Sequence, residues 1–278
     1  MSEADAAFAS FVAKLEQAYP EFRVLRPFLA RRGVAELAFE GISHELSQAV
    51  FHLPELSIAL NKLQWWGEEL ARWGLGEARH PLTRGLPPQA AAATAASAAS
   101  AVAALQRAAT QAHDAVPASD FDNQLVLLQP AFAAIESLRA LLLGRAVAPQ
   151  ASARLAALSH LLRQLARLPL VENREAPALP MQLLARHQLA RITLTQPGAA
   201  REAAVSEQLA SISAALAGLS TSGLEHMDWV SRVRWRCEQW RARPVAGSGD
   251  AFPTLWGRLN RAPWSLSWHA WRELRRGG

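Results

Sequence analysis

Apolar residues recur at the three- and four-residue spacing of an α-helix along almost the whole chain. No segment alternates convincingly with the period of two that a half-buried strand requires. Half of the 278 residues are apolar, with alanine and leucine dominant and aromatic or β-branched residues scarce through the first two thirds, a mixture that favours helix over sheet. The pattern predicts helices over 4–18, 34–52, 54–74, 89–113, 120–143, 151–168, 181–189, 201–219 and 224–240. Two short helices split at Pro263 complete the tail. Proline and glycine punctuate these stretches: Pro20 closes the first, Pro54 opens the third, and Pro130 sits inside a long helix that it should kink. The small side chains of 89–113 should let neighbouring helices approach closely. The segments 171–180 and 244–250 read as irregular connections. With no internal repeat and no linker long enough to divide the chain, the expected fold is one all-α domain over residues 1–278.

Charge and cysteine narrow the function classes. The net charge is +5, carried almost wholly by arginine, and the basic residues are spread along helices that also carry acids. That leans mildly toward anionic partners, but no basic arm or recognised module points to nucleic acid. Cys237 is the sole cysteine, so an internal disulfide is impossible and a zinc-thiolate site is not expected. The first residues, MSEADAAFASF, carry acids where a secretory signal needs a basic then apolar run, and the long apolar stretches read as too weak to span a bilayer. A cytoplasmic protein, with peripheral membrane association as a variant, is the expectation.

Two blocks carry a resemblance. In 37–86, Phe39 lies on one helix, KLQWWGEEL from Lys62 to Leu70 forms the next, and Gly76 and His80-Pro81 close the segment. In 157–189, Arg163 precedes Leu179-Pro180 and a short helix. In these spacings the chain resembles the squalene/phytoene synthase family. The resemblance implies an all-α isoprenoid-synthase-like bundle around a central cavity. It also implies that the family's two acidic, magnesium-binding motifs should fall on these helices. The first falls on His44, Glu45 and Gln48, with Gly41 where arginine is usual; the second falls on Gln164 and Leu168. Only Glu45 retains a carboxylate. Magnesium needs hard oxygen ligands in octahedral array, and screening two diphosphates needs carboxylates from facing helices, which glutamine, histidine and leucine cannot replace. No DxxD or DxxxD elsewhere rescues the motif by a shift of register.

The expected function is therefore binding of a protein or lipid by a non-catalytic homologue, similar in kind to the complex I assembly factor of that superfamily. The alternatives are an active prenyl-diphosphate transferase with a rebuilt site, which alone would require magnesium, and an isoprenoid or lipid carrier. His44, Glu45, Gln48, His160, Arg163 and Gln164 are the expected lining of a vestigial pocket. His44, Gln48 and His52 share a helix face, and SHELSQ is superficially similar to the HExxH metal motif. Its second histidine is replaced, so half-buried hydrogen-bonded histidines are the ordinary reading and no metal site is assigned. For Trp65-Trp66, core packing of one ring with partial exposure of the other is favoured over a stacking platform.

The end of the chain is the oddest part. Seven of the ten tryptophans fall in the last fifty residues, interleaved with arginines. Trp235, Trp240, Trp264, Trp268 and Trp271 are candidates for a membrane or protein interface, set against ordinary core tryptophans with arginines snorkelling outside them. No catalytic triad spacing and no glycine-rich phosphate loop is present.

Overall fold

A computed structural model describes residues 3–88, 92–114, 117–144, 149–170, 178–245 and 250–276. The described residues form α1 (Glu3–Ala18), α2 (Glu21–Ala30), α3 (Val34–Phe51), α4 (Leu56–Gly74), α5 (Pro81–Arg84), α6 (Ala92–His113) and α7 (Phe121–Leu143). They continue with α8 (Pro149–Arg167), α9 (Met181–Arg186), α10 (Ala199–Ser222), α11 (Trp229–Arg241), α12 (Phe252–Leu259) and α13 (Leu266–Arg276), with single 3-10 turns at Leu168–Leu170, Arg191–Thr193 and Leu224–His226. No strand occurs among them, so the fold is all-α. The expected connection at 171–177, the centre of the expected loop at 246–249, and the first residues of the alanine-rich run at 89–91 lie outside the described residues.

The chain separates into two compact units: residues 1–114 with 130–149, and residues 115–129 with 150–278. The division crosses α7 at Pro130, whose missing N–H removes one rung of the helix ladder there.

In the first unit, α3 packs against α1, α2, α4, α5 and α6, and α4 lies along α6. The alanine-rich sequence of α6 makes that approach possible. Ala98, Ala101, Ala108 and Ala109 are buried beside Val102 and Leu105, and a Cβ added to Gly67 of α4 would stand 3.3 Å from Cγ1 of Val102. Phe22, Phe39, Ile42, Leu46, Leu63 and Trp66 fill the core. Three charged groups are buried with them. Arg139 donates to Glu40 at 2.6 Å and to Glu136 at 3.0 Å, and its guanidinium lies 4.5 Å from the ring centroid of Phe39.

In the second unit, α11 packs against α10, α12 and α13. Glu238 of α11 is buried and gathers Ser159 at 2.8 Å, Arg163 at 3.0 Å and Arg241 at 3.0 Å. Arg241 also donates to the carbonyls of Arg258, Leu259 and Arg261, so it closes the C-terminal end of α12 with a cation where the helix dipole is negative. Gln124, at the start of α7, donates to the carbonyl of Ala178 and accepts from Gln208 of α10 at 2.7 Å.

Several elements differ from the sequence expectation. The segment after Pro20 forms α2, a helix that tolerates Pro27 inside it. His80-Pro81, expected as loop, opens α5, with proline in the first turn where its missing N–H costs nothing. The helix expected from residue 224 begins at Trp229. There the Asp228 carboxylate accepts from the N–H of Ser231, and a 3-10 turn replaces the preceding residues. Against the expectation that no stretch is apolar enough to span a bilayer, α7 has the length and mean hydropathy, 1.5, to do so. Half of its apolar window is buried within the protein, and it carries the Arg139 ion pair, as a core helix does.

Candidate functional site

The residues expected to line a vestigial pocket are distributed over both units. In the first unit, His44, Glu45 and Gln48 are half-buried on α3. The His44 ring meets Tyr19 edge-on with centroids 5.5 Å apart, and the Glu45 carboxylate pairs with Nζ of Lys62 at 2.7 Å. His52 forms the C-cap of α3. In the second unit His160 is buried, Arg163 is held by Glu238 and Ser159, and Gln164 is half-buried. Gly41 is tightly packed: an added Cβ would lie 2.9 Å from Cδ2 of Leu82, so a larger residue at this position would force the Leu82 side chain to shift.

The block from Trp65 to His80 is a built polar joint. Glu69 of α4 is fully buried, and its Oε1 accepts the backbone N–H groups of Arg79 at 2.8 Å and His80 at 2.7 Å and the Thr83 hydroxyl at 2.5 Å. Its Oε2 takes the Arg72 guanidinium at 3.0 Å. Burial alone would raise the Glu69 pKa, but the donors from His80, Thr83, Arg79 and Arg72 together bring it below the ordinary carboxylate value. The His80 ring sits among Phe11, Trp65 and Trp66, with centroids 4.6, 5.5 and 4.9 Å away, and its Nδ1 accepts the N–H of Leu82. Trp66 is buried and Trp65 is 41% exposed, and both rings stand edge-on around His80.

The His80 pKa is lowered by burial, against the opposing pull of Glu69 and Glu45. A histidine lowered in the fold contributes stability that is fully present above its unfolded value of about 6.5 and is lost as pH falls through its folded value. Protonation of Nδ1 also ends the cap to Leu82. His80→Asn, which caps without titrating, should therefore flatten the acid loss of stability seen by urea unfolding between pH 7.5 and 5.

The C-terminal tryptophans divide by position. Trp235 is not a surface group, which corrects the expectation for it: it is 5% exposed, and its indole N–H donates to the carbonyl of Leu216 at 2.7 Å. As the buried face of α11, it is the residue an apolar period would place in the core. Trp240 is half-buried. Trp264, Trp268 and Trp271 are 94%, 52% and 41% exposed. Trp268 and Trp271 lie at i and i+3 on the side of α13 opposite the buried Leu266, Ala270 and Glu273, and Trp264 stands in the turn just before the helix. Arg272 stacks over Trp268 at 4.8 Å and Arg275 over Trp271 at 4.3 Å, each four residues along the helix from its ring. Trp256 of α12 adds a fourth exposed ring, 44% exposed.

Behind this face, α11 and α13 enclose a cleft of about 280 Å³, lined by Leu224, Glu225, Arg232, Trp235, Arg236, Glu273 and Arg276. This concavity was not foreseen from the sequence, because its arginines come from two helices some forty residues apart and only the packing of α13 on α11 brings them together. Arg232 is fixed from two sides, donating to the carbonyl of Met227 and to Glu273 at 2.7 Å. From 229 to 278 ten arginines stand against three acidic residues, a surplus of seven in a chain whose net charge is five. The Arg236 pKa is lowered mainly by burial and further by Arg272 and Arg276, and that of His269 by burial and by Arg236 and Arg272, with Glu273 pulling the other way on both.

Among the described residues no group of three or more His, Cys, Asp or Glu stands together to hold a metal ion. No family model matches the chain, and no curated protein matches it.

Proposed function

We propose that this chain is a non-catalytic binding protein of squalene/phytoene synthase type that works at an anionic lipid surface, which it meets with the outer face of α13. The observation that carries the reading is the trio of exposed rings, Trp264 in the turn before α13 and Trp268 and Trp271 on its exposed side, each of the latter two topped by an arginine. An indole ring prefers the headgroup depth of a bilayer, and a guanidinium beside it meets lipid phosphate or carboxylate there. The charge surplus of this end of the chain matches an anionic surface in sign. For the binding reading over the transferase reading, the one carboxylate left at the acidic motifs, Glu45, is already neutralised by Lys62.

Vesicle flotation tests it. The protein should float with phosphatidylcholine vesicles containing an anionic lipid and much less with phosphatidylcholine alone, and the difference should shrink as salt screens it. Each ring contributes on the order of 1 kcal/mol or more on insertion, so the triple variant Trp264→Ala, Trp268→Ala, Trp271→Ala should partition roughly 100-fold less. These rings are exposed, so its thermal midpoint should not fall. Failure of the unaltered protein to bind anionic vesicles at low salt would end this reading.

A further inference from the structure

We propose that the cleft between α11 and α13 is a binding site for a phosphate monoester group, held by Arg236 and Arg276 with Arg232 as the fixed wall. Only the source of that phosphate, a lipid headgroup, rests on the lipid-surface reading; the site itself rests on its own geometry. The cleft brings three guanidiniums to one small space, and its carboxylates do not balance them. Glu273 is taken by Arg232 at 2.7 Å and by Arg276 at 3.6 Å, and Glu225 is exposed at the rim. Arg236 has no ion pair among the described residues; its guanidinium lies 5.2 Å from the centroid of the Trp235 ring, which also lines the cleft.

Arg272 and His269, neighbours of Glu273 and Arg276 on α13, add to the field. Nε of Arg272 and Nδ1 of His269 are buried without a hydrogen-bond partner among the described residues. Like charges gathered at the cost of mutual repulsion mark a place where an anion is to be received. Guanidinium is the group best shaped for it, since its planar fork donates two parallel bonds to phosphate oxygens. The volume, about 280 Å³, is at the low end of small-ligand sites. It accommodates a headgroup and leaves an acyl or prenyl chain outside. A monoester carries nearly two charges at neutral pH and matches a cleft whose three arginines share one buried carboxylate better than a diester, which carries one.

The test pairs soluble and membrane probes. Titration calorimetry and histidine-detected NMR with inorganic phosphate and glycerol 3-phosphate, at constant ionic strength, should show saturable binding that sulfate-free chloride does not give, with the His269 signal titrating at higher pH when the site is filled. Vesicles of phosphatidic acid and of phosphatidylglycerol at matched surface charge should separate, with phosphatidic acid preferred. Arg236→Gln should lose about 10- to 100-fold in phosphate affinity and the lipid preference together, with Arg276→Gln weaker in both. If Arg236→Gln is unstable by thermal melting, Arg236→Lys, which keeps the charge and loses the fork, should lie between the two.

Saturable phosphate binding without vesicle binding would keep the cleft and assign it a soluble phosphomonoester, against the lipid-surface reading. Vesicle binding indifferent to headgroup, with no saturable phosphate effect, would overturn the cleft and leave the lipid surface standing. Phosphate binding unaffected by Arg236→Gln and Arg236→Lys would overturn it as well.

Discussion

Glu69→Ala is expected to lower the stability of the protein by about 3–5 kcal/mol, as breaking a buried charged network by removing one partner does. The carboxylate is 0% exposed and receives two backbone N–H groups, a hydroxyl and a guanidinium. Alanine would leave the N–H groups of Arg79 and His80 without an acceptor, at a cost of about 1–3 kcal/mol each, and would release Arg72. The loss should spread to α5, because the turn from Arg79 to Thr83 that Glu69 holds is the turn that sets Leu82 against Gly41. Glu69→Gln keeps an acceptor of the same shape and should cost less. The two variants also give a pH signature. Because the Glu69 pKa is lowered in the fold, its contribution is present above the unfolded value of about 4.5 and is lost as pH falls through the lower folded value. Urea unfolding of the unaltered protein from pH 6 to 3 should therefore be steeper in pH than that of Glu69→Gln, since the other carboxylates contribute to both. Equal slopes would mean that Glu69 is not the anchor.

This joint also shows how far the sequence could be read. The tryptophan helix, the glycine and the His80-Pro81 pair were legible as spacing, and the structure supplies their physical meaning: one glutamate holds the turn that the proline opens. What spacing could not reveal was which of Glu68 and Glu69 faces inward, since both neighbour the same apolar stripe. The helices themselves were legible wherever four or more apolar residues kept the period, as in α3, α4, α8 and α10. The reading failed at α2, where Pro20 was taken as a break and no helix was expected between it and Val34. Pro20 precedes the first helical residue, where its fixed φ is helical, and Pro27 removes only one bond in a helix whose Phe22, Leu25 and Leu29 are all buried. Tertiary burial outweighed the local penalty.

The candidate site was legible in composition and not in arrangement. Clustering of tryptophan and arginine marks the C-terminal end, but Trp235 is core and Trp271 is surface, and each is followed by an arginine. The difference lies in which face of α11 or α13 the ring occupies once the two helices pack together. For Trp264, which precedes the helix, the period gives no face at all. The cleft needed tertiary structure, since Arg236 and Arg276 are forty positions apart.

Buried charge was the least legible feature, and Arg139 is the clearest case. Arg139→Ala should destabilise the protein by about 3–5 kcal/mol, because the Glu40 and Glu136 carboxylates, each under 5% exposed, would face one another without their shared cation. A sequence reading counts apolar residues at helical spacing, and Glu40, Glu136 and Arg139 enter that count as solvated positions. Only the contact between residues 40 and 139 reveals them as core. Charge taken from water is costly, so the triad need not be the most stable arrangement of its volume. Replacing all three together with Glu40→Leu, Glu136→Leu and Arg139→Met should recover much of the loss, and could exceed the starting stability, in contrast to the single change. The comparison by thermal and urea unfolding separates two physical accounts. Recovery in the triple variant means that the single change is costly because it strands two charges. A triple variant as unstable as Arg139→Ala would mean instead that the guanidinium's packing, including its 4.5 Å approach to the Phe39 ring, holds α3 in place irrespective of charge.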